Sequence, residues 1–151
     1  MAVFKFVISQ GNRSYQVEKE QSLCPLMSKK LGEAFAADFL GLNGYELVIT
    51  GGSDKDGFPM RKDIEAVGRK QLIATEGTGF SGAKRISKKL VKMEGLRKKK
   101  SFRGNTISAD ITQINCKVSK AGEKPLEEIL GKKEGETAPS EKESSPKEEK
   151  K

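Results

Sequence analysis

The sequence predicts a small α+β domain that is mainly β, with short helices and a disordered C-terminal tail. The chain has 151 residues, which is room for one domain and a tail. Its apolar residues fall in short, irregularly spaced runs rich in β-branched and aromatic residues, and few segments have helical periodicity. This pattern favours a small domain whose strands form a partly closed β-barrel.

The N-terminal region predicts a β-hairpin followed by short elements. Residues 3–8 and 14–18 have strand-like composition and flank a turn at 11–12. Residues 25–31 predict a short helix, with a proline in its first turn and a glycine after its end. Residues 33–40 are helical by propensity, but their alternating apolar residues also allow a strand, so both structures stay open.

Three more strands and a helical turn are predicted towards the C-terminus. Residues 45–50 and 71–75 are strands by composition, and 106–121 has the clearest alternation of apolar and polar residues. Thr112, Ile114, Cys116 and Val118 share one face of that strand, opposite Gln113, Asn115 and Lys117. Residues 126–130 follow a proline and predict one or two helical turns.

The C-terminal segment 132–151 differs in composition from the rest of the chain. It contains only Lys, Glu, Ser, Pro, Gly, Ala and Thr, so it cannot bury enough apolar surface to offset the entropy of ordering it. We therefore expect a domain over 1–131 and a disordered charged tail over 132–151.

Positive charge is concentrated in residues 84–103. This segment holds ten basic side chains and one acidic one, and the whole chain has a net charge of +8. Its first half predicts an amphipathic helix with Ile86, Leu90 and Met93 on one face, ended by Gly95, and residues 97–100 predict an extended basic arm. Closely spaced cations favour a phosphate backbone as partner. A helix that lies on a membrane surface is disfavoured, because the apolar face lacks the Trp and Phe that such helices carry.

Several kinds of catalytic and metal site are excluded by composition. There is no histidine, which rules out Ser-His-Asp and Cys-His nucleophiles, whereas carboxylate or lysine chemistry is not excluded by that count. Cys24 and Cys116 have no CxxC spacing, so they predict buried free thiols and no metal site. The chain shows no targeting signal and no apolar run long enough to span a membrane, so we expect a cytoplasmic protein without a membrane partner.

Two glycine-rich segments need separate interpretation. Residues 77–82 match the dinucleotide pattern G-x-G-x-x-G, but they come late in the chain and are followed by cations where a ribose-binding acid is required. A flexible loop with few side chains, which lets the backbone approach another group closely, is the better interpretation, and RNA is one candidate for that group. Residues 51–60 lack the closing acid of a calcium loop, and their glycines predict turns in which Asp54 and Asp56 cap backbone amides. No apolar pocket is evident around either carboxylate, so we interpret the segment as a structural loop.

The segment 51–60, Gly-Gly-Ser-Asp-Lys-Asp-Gly-Phe-Pro-Met, resembles the signature loop of a known family. This is the family of e-type protein six of the archaeal and eukaryotic small ribosomal subunit. The resemblance continues through 44–50, 68–73, 98–108, 111–119 and 122–125, and so covers most of residues 1–131. The short tail is similar to that of archaeal-type members.

The resemblance implies a structural protein of the small ribosomal subunit that binds ribosomal RNA beside neighbouring ribosomal proteins. It implies no catalytic site, cofactor, metal or small-molecule substrate. The RNA contacts it implies are Lys55, Arg61, Lys62, Arg69, Lys70, Arg97, Lys98, Lys99, Lys100 and Arg103. Between Phe80 and Leu96 the chain looks longer and richer in lysine than the family pattern, so Lys84, Arg85, Lys88, Lys89 and Lys92 are assigned from charge alone.

Two other functions remain open at this stage. A transient RNA-binding factor would have the same basic segment, but it would dissociate from its RNA at high salt. A nucleotide-dependent enzyme would use Gly77–Gly82 and bind a dinucleotide saturably. Phe102 could stack on a base, but a core position is favoured.

Overall fold

The computed structural model describes residues 2–87, 89–122 and 124–130. Within them the chain forms nine strands, two short 3-10 turns and one helix. The strands are β1 (Val3–Gln10), β2 (Arg13–Glu20), β3 (Ala34–Ala36), β4 (Glu46–Asp54), β5 (Arg69–Ala74), β6 (Ala83–Ile86), β7 (Lys89–Lys92), β8 (Lys98–Arg103) and β9 (Ile111–Lys120). The 3-10 turns span Gln21–Leu23 and Asp38–Leu40, and the helix α1 spans Leu126–Leu130.

Five strands form the main sheet in the order β2-β1-β9-β4-β3. The first and last of the described strands are neighbours, because β1 pairs with β9 in parallel. The pairs β1–β2, β4–β9 and β3–β4 are antiparallel. Residue spacing places alternate side chains on one face, so Phe4, Phe6 and Ile8 all point to the same side of β1.

The main hydrophobic core lies on that face of the sheet. Phe4, Phe6 and Ile8 are fully buried, as are Leu47 of β4 and Ile114 of β9. The segment between β2 and β4 and the helix α1 cover this face with further buried apolar side chains. These covering side chains are Cys24, Leu26, Leu31, Phe35, Leu40, Leu42 and Leu126.

The other four strands form two antiparallel ribbons, β5–β8 and β6–β7. A second, small core of Ile64, Ala74, Phe80 and Phe102 holds the β5–β8 ribbon. Phe102 is fully buried, which confirms the prediction that it belongs to a core. Every described residue of β7 and three of the four residues of β6 are exposed.

Most of the predicted strands are confirmed. The hairpin at 3–8 and 14–18 is β1–β2, and 45–50, 71–75 and 106–121 correspond to β4, β5 and β9, although β9 begins only at Ile111. The helix at 126–130 is α1. In the open segment 33–40, the alternating part is β3 and the end is a 3-10 turn.

Two helix predictions were wrong. Residues 25–31 form turns, because their backbone pairs with the segment 105–107: the amides of Ser28 and Leu31 donate to the carbonyls of Ile107 and Asn105. The amphipathic helix expected from residue 84 is the β6–β7 ribbon, which turns at Ser87 with a positive φ of 46°. The basic arm at 97–100 is not free either, since Lys98–Arg103 is β8, paired with β5.

The mainly β character is confirmed, with short helical elements as predicted. The described strands do not close into a barrel, because β2 and β3 are the edges of an open sheet. The partly closed barrel therefore stays a prediction. The tail at 132–151 lies outside the described residues.

Candidate nucleic-acid interface

The loop at 51–60 begins inside a strand. Gly51 and Gly52 belong to β4 and do not form the predicted turn, whereas Gly57 lies in a turn with a positive φ of 81° and donates its amide hydrogen bond to the Asp54 carbonyl at 2.8 Å. There Asp54 and Phe58 are joined by a backbone hydrogen bond of 3.0 Å. A Cβ on Gly52 would lie 2.6 Å from the carbonyl oxygen of Gln113, so glycine lets β4 pass close to β9.

Asp54 is the centre of a buried ion-pair network. The residue is 2% exposed, and its Oδ2 accepts hydrogen bonds from Arg69 Nε at 2.7 Å and from Arg103 Nη1 at 3.0 Å. Arg103 also donates to Ser108 Oγ at 2.7 Å and to Asp110 Oδ2 at 2.9 Å. The network thus ties the end of β4 to β5, β8 and the start of β9.

The charges in this network determine the ionisation of Asp54. Burial alone would raise the pKa of Asp54, but the hydrogen bond from Arg69 and the positive charges of Arg103 and Arg69 outweigh it, so that the pKa lies below its ordinary value. Hydrogen bonds from Arg69 to Asp54 and Asp56 raise the pKa of Arg69. The local sequence shows no apolar pocket around Asp54, and the groups that lower its pKa are arginines that lie 15 and 49 residues away in sequence.

The loop at 77–82 packs against the chain itself. Gly77 and Phe80 exchange backbone hydrogen bonds of 2.9 and 3.0 Å. A Cβ on Gly79 would lie 2.7 Å from Pro59 Cγ and 2.8 Å from Phe102 Cε1. The loop therefore makes a close approach to the loop at 51–60 and to the second core. The strand β6 follows the loop where a dinucleotide site requires a helix.

The predicted RNA contacts fall into buried and exposed groups. Arg103 is 5% exposed and its guanidinium is held by Asp54 and Asp110, so it faces the interior of the protein. Arg69 is held by Asp54 and Asp56, with its guanidinium 4.8 Å from the centre of the Phe58 ring. The exposed cations are Lys55, Lys62, Arg69, Lys70, Lys84, Arg85, Lys89, Lys92, Arg97, Lys98 and Lys99, with Arg61 and Lys100 half-buried. Lys88 lies outside the described residues.

A cavity brings the base of the β6–β7 ribbon together with β8. Its volume is about 390 Å³, and its apolar lining includes Phe80 and Leu96. The cations that line it are Lys84, Arg85, Arg97, Lys98 and Lys100. Lys100 Nζ lies 5.1 Å from the centre of the Phe80 ring and donates to the Gly79 carbonyl at 3.0 Å. Five of the predicted contacts, from two separate stretches of sequence, therefore surround one cavity.

A second cavity lies beside the loop at 51–60. Its volume is about 380 Å³, and Arg61 and Lys62 line it together with Gly51 and Gly52 of β4. Arg61 also forms an ion pair with Asp63, and its guanidinium lies 5.0 Å from the centre of the Phe102 ring. Positive side chains thus line both cavities.

Comparison with known proteins identifies the family of this chain. The family model described as ribosomal protein S6e matches residues 4–131. The chain belongs to the ribosomal protein S6e family. Small ribosomal subunit protein eS6 of Methanosphaera stadtmanae is 44% identical over 135 residues, which is 89% of this chain and 97% of that protein. The eS6 protein of Methanothermobacter thermautotrophicus is 44% identical over 85% of this chain and 95% of its own length. The eS6 protein of Methanocaldococcus jannaschii is 41% identical over 90% of this chain and 97% of its own length.

Membership of the S6e family confirms the resemblance seen in the sequence, including its archaeal type. The family is one of structural components rather than enzymes. In the part of the chain that the structure describes, no group of three or more Cys, Asp or Glu side chains is placed to hold a metal ion. None of the described helices has the length and apolar content needed to cross a membrane.

Both cysteines of this S6e chain are buried free thiols, as predicted. Burial raises the pKa of Cys24, and it raises the pKa of Cys116 to about 12. Neither thiol therefore forms a reactive thiolate at neutral pH.

Sequence reasoning missed the partners of Arg103. Ser108 and Asp110 were assigned to a strand and given no role, because the apolar alternation of 106–121 dominated that interpretation. The arrangement of an arginine with a hydroxyl and a carboxylate five and seven residues later is a weak signal without the fold, since it does not reveal the central carboxylate of Asp54.

Proposed function

We propose that this chain is a structural component of the small ribosomal subunit in the cytoplasm, where it binds ribosomal RNA and contacts neighbouring ribosomal proteins. The observation that carries the proposal is the match to the S6e family over residues 4–131, together with relatives named as small-subunit proteins. These relatives match over nearly their whole length, so the likeness concerns entire proteins.

The exposed cations support RNA as the partner. Lysine and arginine side chains neutralise phosphates and release counterions, which provides affinity without reading a base sequence. The proposed contacts are Lys55, Arg61, Lys62, Lys70, Lys84, Arg85, Lys88, Lys89, Lys92, Arg97, Lys98, Lys99 and Lys100. Arg69 and Arg103 are left out of this surface, because their guanidinium groups hold Asp54.

Sedimentation of the native protein tests the structural role. Cell extract is washed with high salt and fractionated on a gradient, and the protein is quantified in each fraction. We expect it to stay with the small subunit at about one copy per particle, as a structural component does. Release into the light fractions would show a transient RNA-binding factor and overturn the proposal.

A pair of matched variants tests the proposed RNA surface. Lys98→Gln with Lys99→Gln removes two exposed cations from β8, and Lys5→Gln with Lys117→Gln removes two exposed cations from the main sheet. We measure binding to small-subunit RNA as a function of salt. The β8 variant should lower the slope of log K against log salt by about 0.7–0.9 for each lost phosphate contact, and the control should leave it unchanged. Equal losses in both variants would contradict the assignment to β8.

A further inference from the structure

The β6–β7 ribbon has an unusual distribution of side chains. Each of its four cross-strand pairs joins one cation to one apolar residue. The pairs are Ala83 with Lys92, Lys84 with Val91, Arg85 with Leu90, and Ile86 with Lys89. No acidic residue occurs between residues 83 and 92.

This pairing makes the two faces of the ribbon equivalent. Directly paired residues share a face, and successive pairs alternate between faces. One face therefore carries Lys84, Val91, Ile86 and Lys89, and the other carries Ala83, Lys92, Arg85 and Leu90. Each face has two cations on one diagonal and two apolar side chains on the other. A ribbon lying on a surface would instead have one apolar face and one polar face.

Both faces are open in the structure. Ile86 and Val91 are 46% and 43% exposed on one face, and Leu90 is 68% exposed on the other. A two-stranded ribbon of this size is at best marginally stable in water, so burial of these side chains has to come from a partner. Lys92 already forms an ion pair with Glu76 at 2.7 Å. The other three cations, each beside an apolar residue, indicate a partner that offers negative charge and apolar surface at short intervals.

RNA matches that requirement better than a protein surface does. Phosphates recur along its backbone, and the sugars and base faces between them accept apolar side chains. An acidic protein surface would have to provide carboxylates on two opposite sides of one narrow ribbon. We propose that the β6–β7 ribbon enters a cleft in ribosomal RNA and is covered by RNA on both faces. This inference rests on the proposed function. It adds that the ribbon is inserted into the RNA rather than lying on its surface.

Adjacent cysteine variants test the two faces separately. Leu90→Cys and Val91→Cys place a thiol on opposite faces at the same depth of the ribbon, and the buried Cys24 and Cys116 contribute little background labelling. Maleimide labelling is measured in the free protein and in purified small subunits. We expect both thiols to react readily in the free protein and to be slowed on the order of tenfold or more in the subunit.

An iron chelate attached at each cysteine then identifies what covers each face. Hydroxyl radicals generated in the assembled subunit should cut RNA from both positions, at two distinct sets of nucleotides. A thiol at 90 or 91 that stays reactive in the subunit would show that only one face is covered. A thiol that is protected but gives no RNA cleavage would show a protein on that face. Either result overturns the insertion.

A second pair of cysteine variants is available on the other strand of the ribbon. Arg85→Cys and Ile86→Cys sample the same two faces from β6, and they replace the first pair if either of its members does not assemble. The proposed function fails in a different way, because the wild-type protein would then not sediment with the subunit. Co-sedimentation with one unprotected face therefore rejects the insertion and leaves the structural role intact.

Discussion

The main sheet buries the apolar side chains of its strands, whereas the two ribbons expose many of theirs. In β1, Phe4, Phe6 and Ile8 are all fully buried. In the ribbons, Ile73 of β5 is 72% exposed and Leu90 of β7 is 68% exposed. The sheet therefore obtains its stability from the folded chain itself. The second core holds the base of the β5–β8 ribbon, the Asp54 network joins that ribbon to β4, and the outer parts of both ribbons expose apolar side chains.

The largest expected effect comes from a core position of the sheet. Phe6→Ala should lower the free energy of unfolding by about 4 kcal/mol, because it removes a fully buried ring from the core. Leu90→Ala is the control in the ribbon and should change it by less than about 0.5 kcal/mol. Urea denaturation of the purified protein measures both. Similar losses in the two variants would remove the distinction between sheet and ribbons.

The next effect concerns the connection between the two regions. Asp54→Asn should lower the free energy of unfolding by about 3 kcal/mol. This is at the low end for a broken buried ion pair, because Arg69 is partly exposed. Asp63→Asn removes a carboxylate from the surface pair with Arg61 and should cost at most about 1 kcal/mol. The same denaturation experiment compares them. A loss for Asp54→Asn as small as that of its control would mean that the network does not hold the ribbons.

A smaller effect is expected where the loop at 77–82 touches the second core. Gly79 and Gly57 have nearly equal φ angles of +79° and +81°, so alanine at either position costs about 1 kcal/mol of backbone strain. Only Gly79→Ala also meets Pro59 and Phe102, which should bring its total to about 2–3 kcal/mol. The difference between the two melting profiles isolates the packing contribution. Equal destabilisation would show that the loop can move away without cost.

The smallest effect is a dependence on pH. The pKa of Asp54 is lower in the folded protein than its ordinary value of 3.8. As the pH falls, this carboxylate is therefore protonated in the unfolded chain before it is protonated in the folded one. The stabilisation is complete above that value and is lost as the pH falls through the folded pKa. The advantage of the wild type over Asp54→Asn should thus be constant near neutral pH and shrink below 3.8. A constant difference down to the acid limit would exclude Asp54 as the titrating group.

The contrast between a sheet with one buried face and a ribbon with two exposed faces explains which strands could be predicted from the sequence. The strands of the main sheet were recognisable because one buried face enforces a two-residue period, as at Ile114 and Cys116 of β9. No such constraint acts on the β6–β7 ribbon, whose faces are alike. Its residues Ile86, Leu90 and Met93 also fit a helical period, so the helix prediction was wrong for a physical reason.

The candidate interface was predictable in part. The concentration of cations was visible in the sequence, and most of them lie at the surface. Whether a given arginine is exposed depends on a carboxylate brought close by the fold. Arg97 is exposed, whereas Arg103, six residues later, is buried against Asp54, 49 residues away in sequence. Local composition contains no information about such a pairing.

The position of β9 between β1 and β4 has a consequence for the synthesis of this chain. β1 is made first, yet its parallel neighbour is β9, which ends at residue 120. Until that late segment has been translated and released, β1 and β4 each lack the neighbour they share in the sheet. Until residues 111–120 have emerged, the nascent chain therefore carries Phe4, Phe6 and Ile8 without their complete core. Pairing across so large a separation in sequence delays folding of the sheet, and the unpaired strand edges and apolar side chains of the growing chain are prone to aggregation during that interval.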